Sequence, residues 1–257
     1  MEITEAQYAR IAPYLPVQRG NVRLSNLQVL NAILYVAEHG CKWRGLPPRF
    51  GNWHTIYVRM NRWSKSGVLD RVFEQLQREQ IVCIKLEAFS LDSTIVKVHP
   101  DGTGAPKKNG PQSIGRSRGG WTTKLHMVAA DARTAVTFSL SAGQAHDAPE
   151  GRKLLRRLGH QRTNLALVMD RAYEGDETRQ LALDLGFAPV VPPLKTRREP
   201  WEYNHQLYKR RNEIERLFRR LKGFRRIFSR FEKLDALFLG FIHFALIYDA
   251  VHSVNMP

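Results

Sequence analysis

Cysteine is scarce: the 257 residues hold two, Cys41 and Cys83. That excludes a disulfide framework and fits a reducing compartment. Neither cysteine lies in a CxxC pair, and His99, His126, His146 and His160 do not fall at zinc-ligand spacings, so a structural zinc is not expected. Long apolar runs are missing too. The longest, Ala236–Val251, carries His243 and Asp249 and falls short of the roughly 20 residues a spanning helix needs. It reads as a buried helix, with membrane insertion as the alternative, and no membrane partner is expected. The opening MEITEAQYAR lacks the pattern of a signal or transit peptide, and the expected location is the cytoplasm. No GxxxxGKS/T phosphate cradle is present, so ATP is not implied, and Ser93 lacks the GxSxG context of a nucleophilic serine. At 43% hydrophobic and 25% charged residues the chain is in the range of ordinary globular proteins, which excludes general disorder.

Acidic residues are outnumbered. Forty Lys and Arg against 24 Asp and Glu leave a net charge of +16. The excess is concentrated: Tyr208–Lys233 alone carries 11 basic and 3 acidic residues, or +8. A fixed surplus of this size attracts polyanions, and nucleic acid is the expected partner, with a merely basic soluble surface as the alternative.

Residues 1–82 read as helices. Thr4 or Glu5 opens a first, closed by Pro13 and Pro16. Ser25 caps a second, with Leu27, Leu30, Ile33 and Leu34 on one face, which ends near Gly40. After the turn-rich CKWRGLPPRFGNW, Asn52 caps a third, with Trp53, Ile56, Tyr57, Met60 and Trp63 facing inward. Gly67 precedes a fourth. Two helices around a Gly/Pro turn suggest a helix-turn-helix, with His54, Thr55, Arg59, Arg62 and Lys65 on the exposed face of the third helix. A plain bundle with a solvated basic face is the other reading.

From Glu87 the pattern changes. Phe89–Asp92 and Thr94–Val98 look extended, and residues 100–120 form a Gly-, Pro- and Lys-rich basic loop. Strands at Thr122–Ala129 and Thr134–Leu140 follow, then a helix near 149–158 with Asp147 as its cap. Next come an apolar strand at Leu165–Met169, a helix near 176–185, a strand at Phe187–Val191 and a long helix near 204–222. Antiparallel strands first and alternating strand and helix later imply an α/β domain, a mixed sheet flanked by helices, after a small all-helical one. The expected boundary falls between 86 and 87.

Three acids stand out by position. Asp92 follows an apolar stretch, Asp170 ends the most apolar strand, and Glu215 lies on the long basic helix. Carboxylates at strand ends gather at one edge of a sheet, and a cluster of them calls for a hard cation such as Mg2+ or Mn2+. Two such ions about 3.5–4 Å apart suit an in-line phosphoryl displacement. At about 100° per residue, Tyr208, Arg211, Glu215 and Lys222 share one helical stripe, whereas Ile214, Leu217, Phe218 and Leu221 form the core side. Glu213 falls off the stripe. An ordinary i,i+4 ion pair between Arg211 and Glu215 is the alternative.

The spacing Tyr208, Arg211, Glu215, Lys222 resembles the Y-(2)-R-(3)-E-(6)-K signature of bacterial insertion-sequence DDE transposases. LDST at 91–94 and DRAY at 170–173 match the boxes of that family's two aspartates, and GCKWRGLPPRFGNWHTIYVRMNRW and GRSRGGWTTKLH are similar to the insertion-sequence-five family. The element order is also that of the ribonuclease-H-like fold. The resemblance implies a ribonuclease-H-like catalytic domain in which Asp92, Asp170 and Glu215 hold two Mg2+ or Mn2+ ions. It implies cutting and transfer of DNA strands at terminal inverted repeats by a homodimer or larger synaptic complex, in the nucleoid of a bacterium. Arg211 and Lys222 would contact DNA, supported by Tyr208. Arg59, Arg62, Lys107, Lys108, Arg116, Arg118 and, as a wedge, Trp121 are further candidate DNA contacts. A DNA-binding regulator that no longer cuts, or a related nuclease, is the alternative.

Overall fold

The computed structural model describes residues 1–20, 22–83, 87–103, 109–161 and 164–253. Lys107 and Lys108 lie outside the described residues. Helix α1 (Glu5–Ile11) starts at Thr4, whose hydroxyl accepts the Gln7 N–H while the Gln7 side chain returns to the Thr4 N–H. Ser25 and Gln28 repeat this reciprocal cap at the start of α2 (Asn26–His39). Gly40 ends α2 at φ +67°, where a Cβ would stand 2.9 Å from that of Arg225. Asn52 caps α3 (Trp53–Lys65) by accepting from the N–H groups of His54 and Thr55. Helix α4 (Val68–Cys83) follows.

One unbroken strand, β1 (Ala88–Val98), replaces the two expected extended pieces. Strand β2 (Gly115–Ser117) turns into β3 (Gly120–Ala129), which turns into β4 (Ala135–Ala142). Then come α5 (Asp147–Leu158), β5 (Leu165–Met169), α6 (Asp176–Asp184) and β6 (Phe187–Val190). Asp147 is not the cap of α5. His146 holds that position, and Asp147 is the first helical residue, paired with Lys124 at 2.8 Å. The long helix expected from 204 to 222 is two: α7 (His205–Tyr208), capped by Asn204, and α8 (Arg211–Leu221). Between them the backbone tightens to i→i+3 bonds, Arg210 N–H to Leu207 O and Glu213 N–H to Arg210 O, both 2.9 Å. The chain ends in α9 (Arg225–Phe228), the short β7 (Ser229–Arg230) and α10 (Asp235–Ser253).

The chain forms two compact units, each made of more than one stretch of the sequence. One holds residues 1–80, 97–112 and 220–257, the other 81–96 and 113–219. In the first, α10 packs against α2 and α3, so the last helix joins the first ones. Its Phe238, Phe241, Ile242 and Phe244 are buried, as are Leu30, Ile33, Ile56 and Met60. Helix α10 is long and apolar enough to cross a membrane, but two thirds of that stretch (67%) is buried inside the protein. Trp53 and Tyr57, expected to face inward, are only half-buried. The link from α2 to α3, Gly40–Asn52, holds two short 3-10 turns and is far longer than the three or four residues of a helix-turn-helix.

In the second unit the sheet runs β4-β3-β1-β5-β6, with β2 paired to the start of β3. Strands β3 and β4 are antiparallel, and β5 and β6 run parallel to β1. That order is the ribonuclease-H-like one. One face of β1 and β5 presents Phe89, Leu91, Leu167 and Met169 to a core shared with Leu154, Leu155 and Tyr173. The other presents Ala88, Ala166 and Val168 to Tyr203, Leu207 and Tyr208.

Candidate active site

Strand periodicity places the first two carboxylates. Ala88, Ser90 and Asp92 alternate onto one face of β1; Ala166, Val168 and Asp170 do the same on and just past β5. The β1–β5 register pairs Ala88 with Ala166 and Leu91 with Met169, a constant offset of 78. The sequence spacing 170 − 92 is also 78. Asp92 and Asp170 are therefore the next pair in register, side by side where the strands diverge.

Each aspartate is anchored through one oxygen by a backbone N–H, Asp92 by Ser93 at 2.7 Å and Asp170 by Ala172 at 3.0 Å. Their second oxygens converge on the Arg211 guanidinium, at 2.8 Å from Asp92 and 3.2 Å from Asp170. Glu215, one turn further along α8, reaches the same group at 2.5 Å. The turn geometry of α8 buries Ile214, Leu217, Phe218 and Leu221, so Arg211 and Glu215 are left facing the strand ends. Glu213 pairs instead with Arg210 at 3.2 Å.

Three carboxylates around one guanidinium carry a net charge of −2 when all are ionised. Asp92 shows the strain: burial above all pushes its carboxyl up to about 6, Asp170 and Glu215 add to this, and the Ser93 N–H and Arg211 oppose it. Burial disfavours the Arg211 charge, yet the three acids outweigh it and hold that group above its ordinary value. Tyr208, at the end of α7, is raised chiefly by burial, with Arg211 opposing and Asp170 adding. Among the described residues no three His, Cys, Asp or Glu side chains stand together as a ready metal cluster. The donor set nonetheless suits a hard divalent cation: three oxygen ligands, two of them fixed on backbone N–H groups, with two negative charges uncompensated.

The sequence left two parts of this site unread. Arg211 was expected on DNA, and the structure makes it the hub of all three acids. Tyr173 is fully buried beneath the second aspartate, its ring so close to α5 that a Cβ on Gly151 would stand 2.6 Å from Cε1. The DRAY box was the available signal, read only for its aspartate.

The remaining expected contacts are distributed. Arg116 and Trp121 are cross-strand partners in the β2–β3 hairpin, with Arg118 at its tip; all three are exposed, Trp121 by 52%. Arg59 and Arg62 lie on α3 in the first unit. Lys222 follows α8, is half-buried, and has its ammonium pKa lowered by burial.

A ribonuclease-H-like sheet with acids at its strand ends is the scaffold of enzymes that act on phosphodiesters. A family profile described as "Transposase DDE domain" matches residues 85–249, and the chain belongs to that family. A second profile, "Putative transposase of IS4/5 family", matches residues 3–73. The uncharacterised protein y4sN of Sinorhizobium fredii is 36% identical over 112 residues, 42% of this chain and 86% of the relative. The "Putative transposase for insertion sequence element IS6501" of Brucella ovis is 34% identical over 128 residues, 48% of this chain and 94% of the relative. Among solved structures, a piggyBac transposase synaptic complex with hairpin DNA is similar at 10% identity and a TM-score of 0.39 over 76% of this chain. The chain spans about half (48%) of the length of that piggyBac chain.

Proposed function

We propose that this DDE transposase cuts DNA at the terminal inverted repeats of an insertion sequence and transfers the freed 3′ ends to target DNA. The observation that carries the reading is the convergence of Asp92, Asp170 and Glu215 on one cationic point at the strand ends. DDE transposases work with divalent metal ions, and these three carboxylates would hold two Mg2+ or Mn2+ here. Such ions, when bound, activate the attacking oxygen and stabilise the leaving one.

The chain's own groups position the strand. Ser93 and Ala172 N–H groups fix one oxygen of each aspartate and leave the other turned outward. With a cation on the three carboxylates, Arg211 would be free to donate to a DNA phosphate, as its planar fork suits. Tyr208 and Lys222 serve the same strand. Arg116, Arg118 and Trp121 on the β2–β3 hairpin, Lys107 and Lys108, and Arg59 and Arg62 on α3 make further contacts to the duplex. Because two DNA ends must be joined, the working form is a homodimer or a larger synaptic complex. It acts without ATP in the bacterial cytoplasm, on nucleoid DNA.

End-labelled duplexes from the flanks of the gene, incubated with purified protein and Mn2+ or Mg2+, test this. Cleavage at a flank boundary, lost in Asp170→Asn and without metal, is expected. Cleavage at the wild-type rate by Asp170→Asn would overturn the assignment. Salt-sensitive binding with no cutting in any condition would make the chain a DNA-binding regulator instead.

A further inference from the structure

We propose that a cleft between the Pro16–Asn26 segment and α3 is a clamp for a single DNA backbone phosphate, with Arg59, Arg62 and Arg19 as its donors. The proposal rests on the DNA-binding reading above and gives this surface a specific task. The cleft has a volume of about 240 Å3, and its lining includes those three arginines, Gln18, Asn26 and Ser66, with no Asp or Glu among the described residues.

The wall is built. Gln18 closes the segment on itself, Nε2 donating to Leu24 O at 2.9 Å and Oε1 accepting from the Asn26 N–H at 3.0 Å. The Asn26 side chain donates to Pro16 O at 3.2 Å. Arg59 donates from Nη1 to Leu24 O at 3.0 Å, which fixes the orientation of its guanidinium. Burial disfavours the Arg59 charge, and Arg62 beside it does so further. The Arg59 guanidinium is thus held within the charge field of Arg62, in a concavity with no carboxylate among its described lining residues. An anion is the group that relieves this.

Size and shape select which anion. The volume lies below the roughly 300–1,000 Å3 of sites that enclose a small molecule. Planar guanidinium forks match phosphate oxygens bidentately. A phosphate entering from a duplex backbone needs no enclosure of its sugar or base. The same geometry removes Arg59 from base reading, because its side chain is half-buried and tied to a carbonyl of the neighbouring segment. His54 and Thr55, exposed at the start of α3, are better placed for base edges.

The test measures affinity of the full chain for two duplexes, one from the flanks of the gene and one scrambled, across a salt series. Removing a phosphate contact lowers the slope of log K against log salt by about 1 and weakens binding equally on every sequence. Arg62→Gln and Arg19→Gln are each expected to do this on both duplexes, with unchanged melting curves, while Arg62→Lys keeps the wild-type slope. Unchanged slopes in both Gln variants, or a loss confined to the flank duplex, would overturn the clamp and leave the transposase reading standing. A wild-type protein that binds neither duplex would overturn both.

Discussion

Arg211 occupies the point at which three carboxylates meet, so a cation bound there as proposed would compete with the guanidinium for one place. In the absence of DNA, Arg211→Ala is expected to bind Mn2+ more tightly than wild type by calorimetry, because the internal competitor is gone. Cleavage is expected to be lost, since the strand loses its donor. The metal-free variant is expected to unfold at a lower temperature, with a loss of about 1–2 kcal/mol after allowing for the partial exposure of the cluster. Unchanged Mn2+ affinity would show that the guanidinium does not guard the site. His126 gives the expected pH dependence. It is fully buried, accepts or donates at 2.8 Å with Ser141 Oγ, and burial lowers its pKa, with Asp147 and Glu150 opposing. The unfolded chain therefore takes up the proton first. The resulting stability is complete above the ordinary pKa of about 6.5 and is lost as pH falls toward the lower folded value. Urea midpoints at pH 7.5 and pH 5 are expected to differ less in His126→Asn than in wild type.

Elements show how far local sequence reaches. The caps at Thr4, Ser25 and Asn52 were legible because a cap is a contact within three residues. Asp92 and Asp170 stood out in the sequence because each follows an apolar run, although β1 continues past Asp92 to Val98. The break between α7 and α8 was not. Arg210, at that break, pairs with Glu87, a partner 123 residues away that no helical wheel displays. The continuous wheel drawn through Tyr208 and Lys222 therefore described α8 correctly only from Arg211 to Leu221. Gly151 supplies a prediction at this scale. A Val there would drive its side chain into Tyr173, against Leu91 as well, where a Cβ alone is 3.2 Å from Cδ2. Gly151→Val is expected to destabilise the protein by about 1–3 kcal/mol in urea melts and to abolish cleavage by disturbing the strand ends. Retained activity would show that Tyr173 can move without moving Asp170.

At the scale of the molecule, composition indicated a helical region followed by an α/β region, and both are present. What it could not show is that Ala236–Val251, correctly read as a buried helix, is buried among residues 26–65. Hydrophobicity announces that a face needs a partner without saying which. Helix α10 approaches α3 so closely that a Cβ on Gly240 would stand 2.1 Å from Ser64 Oγ. A fragment of residues 1–80 is thus expected to melt without a cooperative transition by circular dichroism, because Leu30, Ile33, Ile56 and Met60 lose that cover. A sharp transition in the isolated fragment would show that α10 is dispensable there.

That each unit is made of more than one stretch has a consequence in time. On the ribosome, residues 81–219, which carry Asp92, Asp170 and Glu215, are complete before α10 has been made. At about 5–20 residues per second, the opening helices wait some ten seconds or longer for the helix that covers them. The sheet can therefore close first, and the segment translated earliest finishes folding last. A chain cut short by a premature stop before α10 would carry all three acids and still lack its finished helical unit. Such a product would lack the helix that packs against α2 and α3, the latter carrying Arg59 and Arg62.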